Sequence, residues 1–310
     1  MEPCVRICVF VVSLVASTLG AADDGGRAPD GRLHIECHLP LSNLATFVAE
    51  ELVERQPGMK VETEPGRERE MWPPATAALI AHHGAGNIVF LEEEWGRSAA
   101  ASRRQAWTGD GFHHVPVAVS GARIIVHAGN PIGDVSLADL DALFGRDRRR
   151  GRAPVATWGE LGVEGPLAAR PPSPLSRPVT TGAMAQFWRL VLLRGPMSPA
   201  VPELPGGTTP LLAAIAGDPA SIGVIGAGWP WDPAAVRDVQ VRTGTASAPV
   251  PCTETTLLDG SYPIAWRVWL RIPLGPDGGW SAHQDALLRL LTGREGEAMV
   301  RNDFLIPIPP

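Results

Sequence analysis

The 310-residue chain carries 33 acidic and 27 basic side chains, a formal charge of −6, and only 19% of its residues are charged, against about 25% in an average globular protein. This argues against a dedicated nucleic-acid binder, which concentrates positive charge on one face. Lys60 is the only lysine and sits in neither a Schiff-base setting nor a P-loop. A hydrophobic content of 45% with 34 Gly and 31 Pro describes one large or two medium globular domains, with short elements and many connections.

Arg6 precedes an apolar run from Ile7 to Leu19, followed by the small residues Gly20, Ala21 and Ala22. Residues 1–20 therefore read as a secretory signal peptide; an uncleaved anchor is the competing reading, but the run is short of the ~20 residues that span a bilayer. Residues 21–30 are small and polar, an expected disordered lead-in. The mature chain is expected to be periplasmic or secreted, without membrane insertion, and monomeric. It keeps two cysteines, Cys37 and Cys252. An oxidising compartment permits a disulfide between them, and two buried thiols are the alternative.

Leu33-His34-Ile35-Glu36-Cys37 alternates like a strand, and Pro40 to Arg55 places Leu41, Leu44, Phe47, Val48 and Leu52 at helical spacing. Gln56-Pro57-Gly58 ends that helix, and Lys60-Val61-Glu62 opens the next strand. A second helix is predicted over 73–81 and a short buried strand over 87–90. This βαβαβ rhythm implies a parallel sheet flanked by helices, whose ligands bind at the carboxyl ends of the strands. Val115 to His127 is a long apolar strand interrupted by Ser120-Gly121, able to run from one domain into another.

Ser136 caps a predicted helix over 137–144, stopped by Gly145. Arg146 to Arg152 is a basic turn, read as a solvated loop rather than a nucleic-acid contact. Arg170 to Pro178 is too proline-rich for anything but extended loop. Helices are predicted from Thr181 through Leu192, over 209–216 and over 285–301, with strands over 222–226 and 264–272.

Enzyme motifs are absent: no G-x-S-x-G, H-E-x-x-H, C-x-x-C, P-loop or G-x-G-x-x-G occurs. His82-His83 and His113-His114 are adjacent pairs, and sequence neighbours point in different directions, so neither pair offers both rings to one metal. The expectation is a chain that is not an enzyme, with no cofactor and no metal.

Three segments then align in order: Ile124 to Pro131, Val135 to Gly145, and Thr157 to Gly162. With Thr181 to Leu193, Asp218 to Gly223, Asp259 to Pro263 and Gly296 to Pro307, the set resembles the phosphate-binding-protein family, the substrate-binding components of phosphate ABC transporters. The resemblance implies a type II periplasmic-binding-protein-like α/β fold: two lobes, each a mixed sheet flanked by helices, joined by a two-segment hinge and closing on a ligand. The lobes are expected at 31–118 plus 229–310 and at 119–228, with hinge candidates Val117 to Arg123 and Gly223 to Gly228. A permease partner is implied as well.

In that family, hydroxyls and backbone N–H groups at helix N-termini hold the anion. Here the matching loops read Cys37-His38-Leu39-Pro40, Pro65 to Trp72, and Thr181-Gly182-Ala183, and Glu92-Glu93-Glu94-Trp95 follows the third strand. Most of the family's hydroxyl donors are missing. Candidate ligand residues are Thr181, Gly182, Arg67, Arg69 and His38, the two arginines being able to take an oxyanion bidentately. The carboxylates would repel a phosphate dianion, so orthophosphate binding is expected to be weak or absent. Two readings follow: a solute-binding protein whose pocket is rebuilt for another small ligand, anionic or carrying an organic part that Trp72 and Trp95 could cover, or a module of the same fold serving envelope interaction or sensing.

Overall fold

The computed structural model describes residues 33–65, 88–94, 107–109, 112–179, 182–274, 278–279 and 281–309. The expected signal peptide over 1–20, the lead-in over 21–30, the predicted helix over 73–81 and the pair His82-His83 lie outside the described residues.

The chain opens as predicted, with strand β1 (Leu33–Cys37), helix α1 (Ser42–Arg55) and strand β2 (Val61–Pro65), β1 and β2 pairing in parallel. Helix α1 forms because Leu44, Ala45, Val48 and Leu52 recur on one face, and all four are buried. Strand β3 (Ile88–Glu94) adds in parallel on the other side of β1. It is longer than expected: Glu92, Glu93 and Glu94 continue the strand instead of forming a loop.

A short β4 (Trp107–Gly109) leads to β5 (Phe112–His127), a 16-residue strand. Its first part, 112–121, pairs with β10 (Ala265–Pro273), and its second part, 122–127, pairs with β8 (Ser221–Gly226) and β9 (Val236–Arg242). The handover is at Gly121-Ala122, where Ala122 N–H donates to Ile264 and Gly121 accepts from Ala227. A Cβ on Gly121 would meet the Leu257 side chain at 2.5 Å. Pro116 removes one ladder donor from this central strand, and the register with β10 shifts between Val268 and Trp269, opposite that proline.

The main strand order is β2-β1-β3-β10-β5-β8-β7, with β7 at Ser173–Pro174. Strand β6 (Asp134–Ser136) pairs with β9, and β11 (Ile306–Pro307) pairs with β5 at Ala118 and Val119. The sequence reading assigned everything after residue 228 to the first lobe. Strand β9 instead pairs with β5 and β6 on the second side, and the chain rejoins the first sheet only at Ala265.

Helices α2 (Leu137–Phe144), α3 (Gly182–Leu190), α4 (Thr208–Gly217) and α5 (Glu254–Leu258) belong to the second part, and α6 (Ala282–Leu291) and α7 (Arg294–Asn302) to the first. Ser136 caps α2 as predicted, its hydroxyl accepting from Asp139 N–H while the Asp139 carboxylate accepts from Ser136 N–H. Thr253 and Ser281 cap α5 and α6 in the same reciprocal way, each such cap stabilising by about 1 kcal/mol. The single helix expected over 285–301 is two, separated at Thr292-Gly293.

Two large apolar clusters result. One joins α1, α6 and α7 to one face of β1, β10 and the start of β5. The other joins α2, α3 and β8 to the end of β5 and contains Trp158, Phe144 and Phe187, the last two packed edge to face. Cys37 lies in the first cluster and Cys252 in the second; both are free thiols, so the disulfide left open by the sequence is not formed.

Candidate functional site

His38 follows directly on β1, at the carboxyl end of the first sheet, with 4% exposure. Burial pushes its imidazole down to about 4, and the charges of Arg189 on α3 and Arg271 on β10 push the same way. It is therefore uncharged at neutral pH and offers one donor and one acceptor. Its field partners come from both sides of the molecule, since α3 packs on β5 and β8 while β10 lies in the first sheet.

Gly182 is the first residue of α3, where first-turn N–H groups lack intrahelical partners. Gln186 and Arg189 follow it at i+4 and i+7, on the same stripe of the helix. Both are buried, at 2% and 5% exposure, so this stripe is polar and enclosed. Thr181, Arg67 and Arg69 lie outside the described residues.

Sequence reasoning passed over Arg177, five residues ahead of Gly182. Its Nη1 donates to Thr208 Oγ1 at 2.7 Å, at the start of α4. Among the described residues it makes no ion pair, and its Nε is buried without a hydrogen-bond acceptor. Burial lowers its pKa from the ordinary arginine value, yet a guanidinium stays charged in a protein. The signal was present: Ser176-Arg177-Pro178 is a proline-stiffened approach to a helix start.

The first sheet carries a second polar feature. Glu36, Val89, Arg271 and His114 stand side by side across β1, β3, β10 and β5. Glu36 and His114 are buried, on the face opposite the apolar cluster. In the neighbouring strands Glu93 stands in register with Arg267, itself buried.

The basic turn has a structural role beyond that of a solvated loop. Arg150 donates to the carbonyls of Leu190 and Val191, and Arg149 to that of Leu193, closing the C-terminal end of α3. Arg152 pairs with the buried Asp139. His113 and His114 are consecutive in β5 and so face opposite sides.

No family model matches the chain. Over 277 residues it is 27% identical to the phosphate-binding protein PstS of Pseudomonas aeruginosa, covering 87% of this chain and 80% of that protein. In structure it is similar to an ABC-type phosphate transport receptor from Vibrio cholerae, with a TM-score of 0.66 and 14% identity over 90% of this chain and 100% of the other. It is also similar to PstS from Borrelia burgdorferi, with a TM-score of 0.61 and 14% identity over 90% and 99%. The fold is thus the two-lobed type II arrangement that the sequence resemblance implied.

Proposed function

We infer that this chain, similar in sequence and fold to the phosphate-binding components of ABC transporters, is an exported, non-catalytic solute-binding protein. It captures a small anion in the cleft between its two lobes and presents it to a permease. Arg177 carries this reading: a partly desolvated guanidinium, paired with no carboxylate among the described residues, five residues ahead of the helix start at Gly182. Desolvating a charge is costly unless a partner compensates it, and an oxyanion that takes charge-assisted hydrogen bonds would be such a partner. Thr181 and the first-turn N–H groups of α3 complete the second-lobe half of the site, and His38 stands on the first-lobe side. Arg67 and Arg69 are assigned to the same ligand.

The anion is not primarily orthophosphate. A neutral His38 and the apolar or charged residues around it stand where the family keeps hydroxyls. Calorimetric titration of the mature protein with phosphate, sulfate, small carboxylates and organophosphates tests this. At least one small anion binds, orthophosphate binds more weakly than micromolar, and Arg177→Ala weakens the bound anion by about 10- to 100-fold. Micromolar orthophosphate affinity would overturn the exclusion of phosphate. Silence towards every anion would overturn the solute-binding reading and leave an interaction or sensing module.

A further inference from the structure

We propose that Trp229 and Phe304 form an aromatic clasp that sets the angle between the two lobes and holds them in the conformation seen here. The proposal rests on the reading of the molecule as two lobes that close on a ligand.

Trp229 lies between β8 and β9, both hydrogen-bonded to residues 122–127 of β5. Phe304 lies between α7, which packs on α1, and β11, which pairs with β5 at Ala118 and Val119. The two rings therefore belong to segments anchored on opposite sides of the Gly121-Ala122 handover. They are stacked, with centroids 4.0 Å apart and planes 20° from parallel.

Both segments are held firmly up to the rings. On the second side, Arg123 donates to Ala227 O at 3.0 Å and to Asp238 at 2.8 Å, with its guanidinium 4.5 Å from the Trp231 ring centroid. On the first side, Phe304 N–H donates to Arg301 and Ile308 N–H to Val117. Phe304 keeps a φ of +57°, a region that a bulky residue avoids unless its surroundings enforce it. Gly228 is solvent-exposed, yet a Cβ there would overlap the Phe304 carbonyl. Only glycine permits this close approach of the two backbones. Rotation of one lobe about Gly121-Ala122 would slide or part the rings, because each ring's segment is hydrogen-bonded to β5 on its own side of that handover.

Double electron–electron resonance on the ligand-free mature protein, without residues 1–20, tests the clasp. Spin labels are placed at the exposed positions Glu54→Cys on α1 and Glu164→Cys in the second lobe; the native Cys37 and Cys252 are buried and do not compete. The parent gives one narrow distance distribution. Trp229→Ala and Phe304→Ala each add a second population, raising its ratio to the parent population about 2- to 12-fold, the equivalent of one aromatic pair, while Phe304→Tyr keeps the parent distribution. If Trp229→Ala does not fold, Trp229→Leu keeps bulk without stacking and is read the same way. Distributions of the folded variants that superimpose on the parent's overturn the clasp. No ligand enters the measurement, so failure of the anion titrations and failure of the clasp are separate results.

Discussion

A histidine held neutral by burial and two guanidinium charges makes the stability of the protein depend on pH. His38 titrates at about 4 when folded, against an ordinary value of about 6.5 in the unfolded chain. Because the folded value is the lower one, the contribution is fully present above about pH 6.5 and is lost as pH falls towards about 4, where the folded form also protonates. Between about pH 7 and about pH 4.5, urea unfolding should show a loss on the order of 3 kcal/mol from this group. His38→Asn should remove that slope; an unchanged pH profile would contradict the assignment. At this scale the sequence pointed to His38 and Gly182, through their positions in a recognisable loop and at a helix start. It did not reveal Glu36 or His114 as buried. Alternation in Leu33 to Cys37 announces a strand with a polar face, and such a face is normally wet. Only the tertiary arrangement encloses it.

Among the elements, α3 shows how a basic turn can serve a helix. Arg150 supplies hydrogen bonds to two carbonyls at the end of α3 that have no intrahelical donor, and its charge complements the negative end of the helix dipole. Replacing it as Arg150→Met keeps much of the side-chain packing and removes those bonds. The urea midpoint should fall by the equivalent of about 1–3 kcal/mol, with an unchanged m-value. A neutral result would return the arginines to the role of solvated charges.

The helices with strong local caps, such as α2 behind Ser136, were legible because a capping box is written in neighbouring residues. Strand β3 was cut short because three consecutive glutamates end its apolar run, whereas β10 continues beside them to Trp266. The break between α6 and α7 was missed although Gly293 lay in the middle of the expected helix; periodicity on both sides concealed it.

Across the whole molecule, β5 couples two apolar clusters that would otherwise be separate cores. Cys37 reports on one and Cys252 on the other, with thiols pushed up by burial to about 12 and about 11. Both should be inert to a disulfide reagent in the native state, since the thiolate is the reacting form. In increasing urea the two should become reactive over the same narrow range, because one continuous strand runs through both clusters and ties them into one cooperative unit. Two well-separated labelling transitions would show that the halves unfold independently.

The two-lobed plan was legible through the family resemblance and through Gly121 in the middle of a long apolar strand. The return boundary was not. Val236 to Arg242 alternates as a strand should, but its partners are residues 124–127, more than a hundred positions earlier. Local pattern carries no information about such a pairing.

Strand β10 sits between β3 and β5, two strands made far earlier in the chain. During synthesis the first sheet therefore waits, with two unpaired edges facing each other, until residues 265–273 arrive. Exposed edges are templates for pairing with other chains. A fragment ending before Ala265 keeps both edges open and should self-associate rather than form a smaller folded protein, which sedimentation would show. The order of the strands thus makes residues 265–273 the step that permits the first sheet to close.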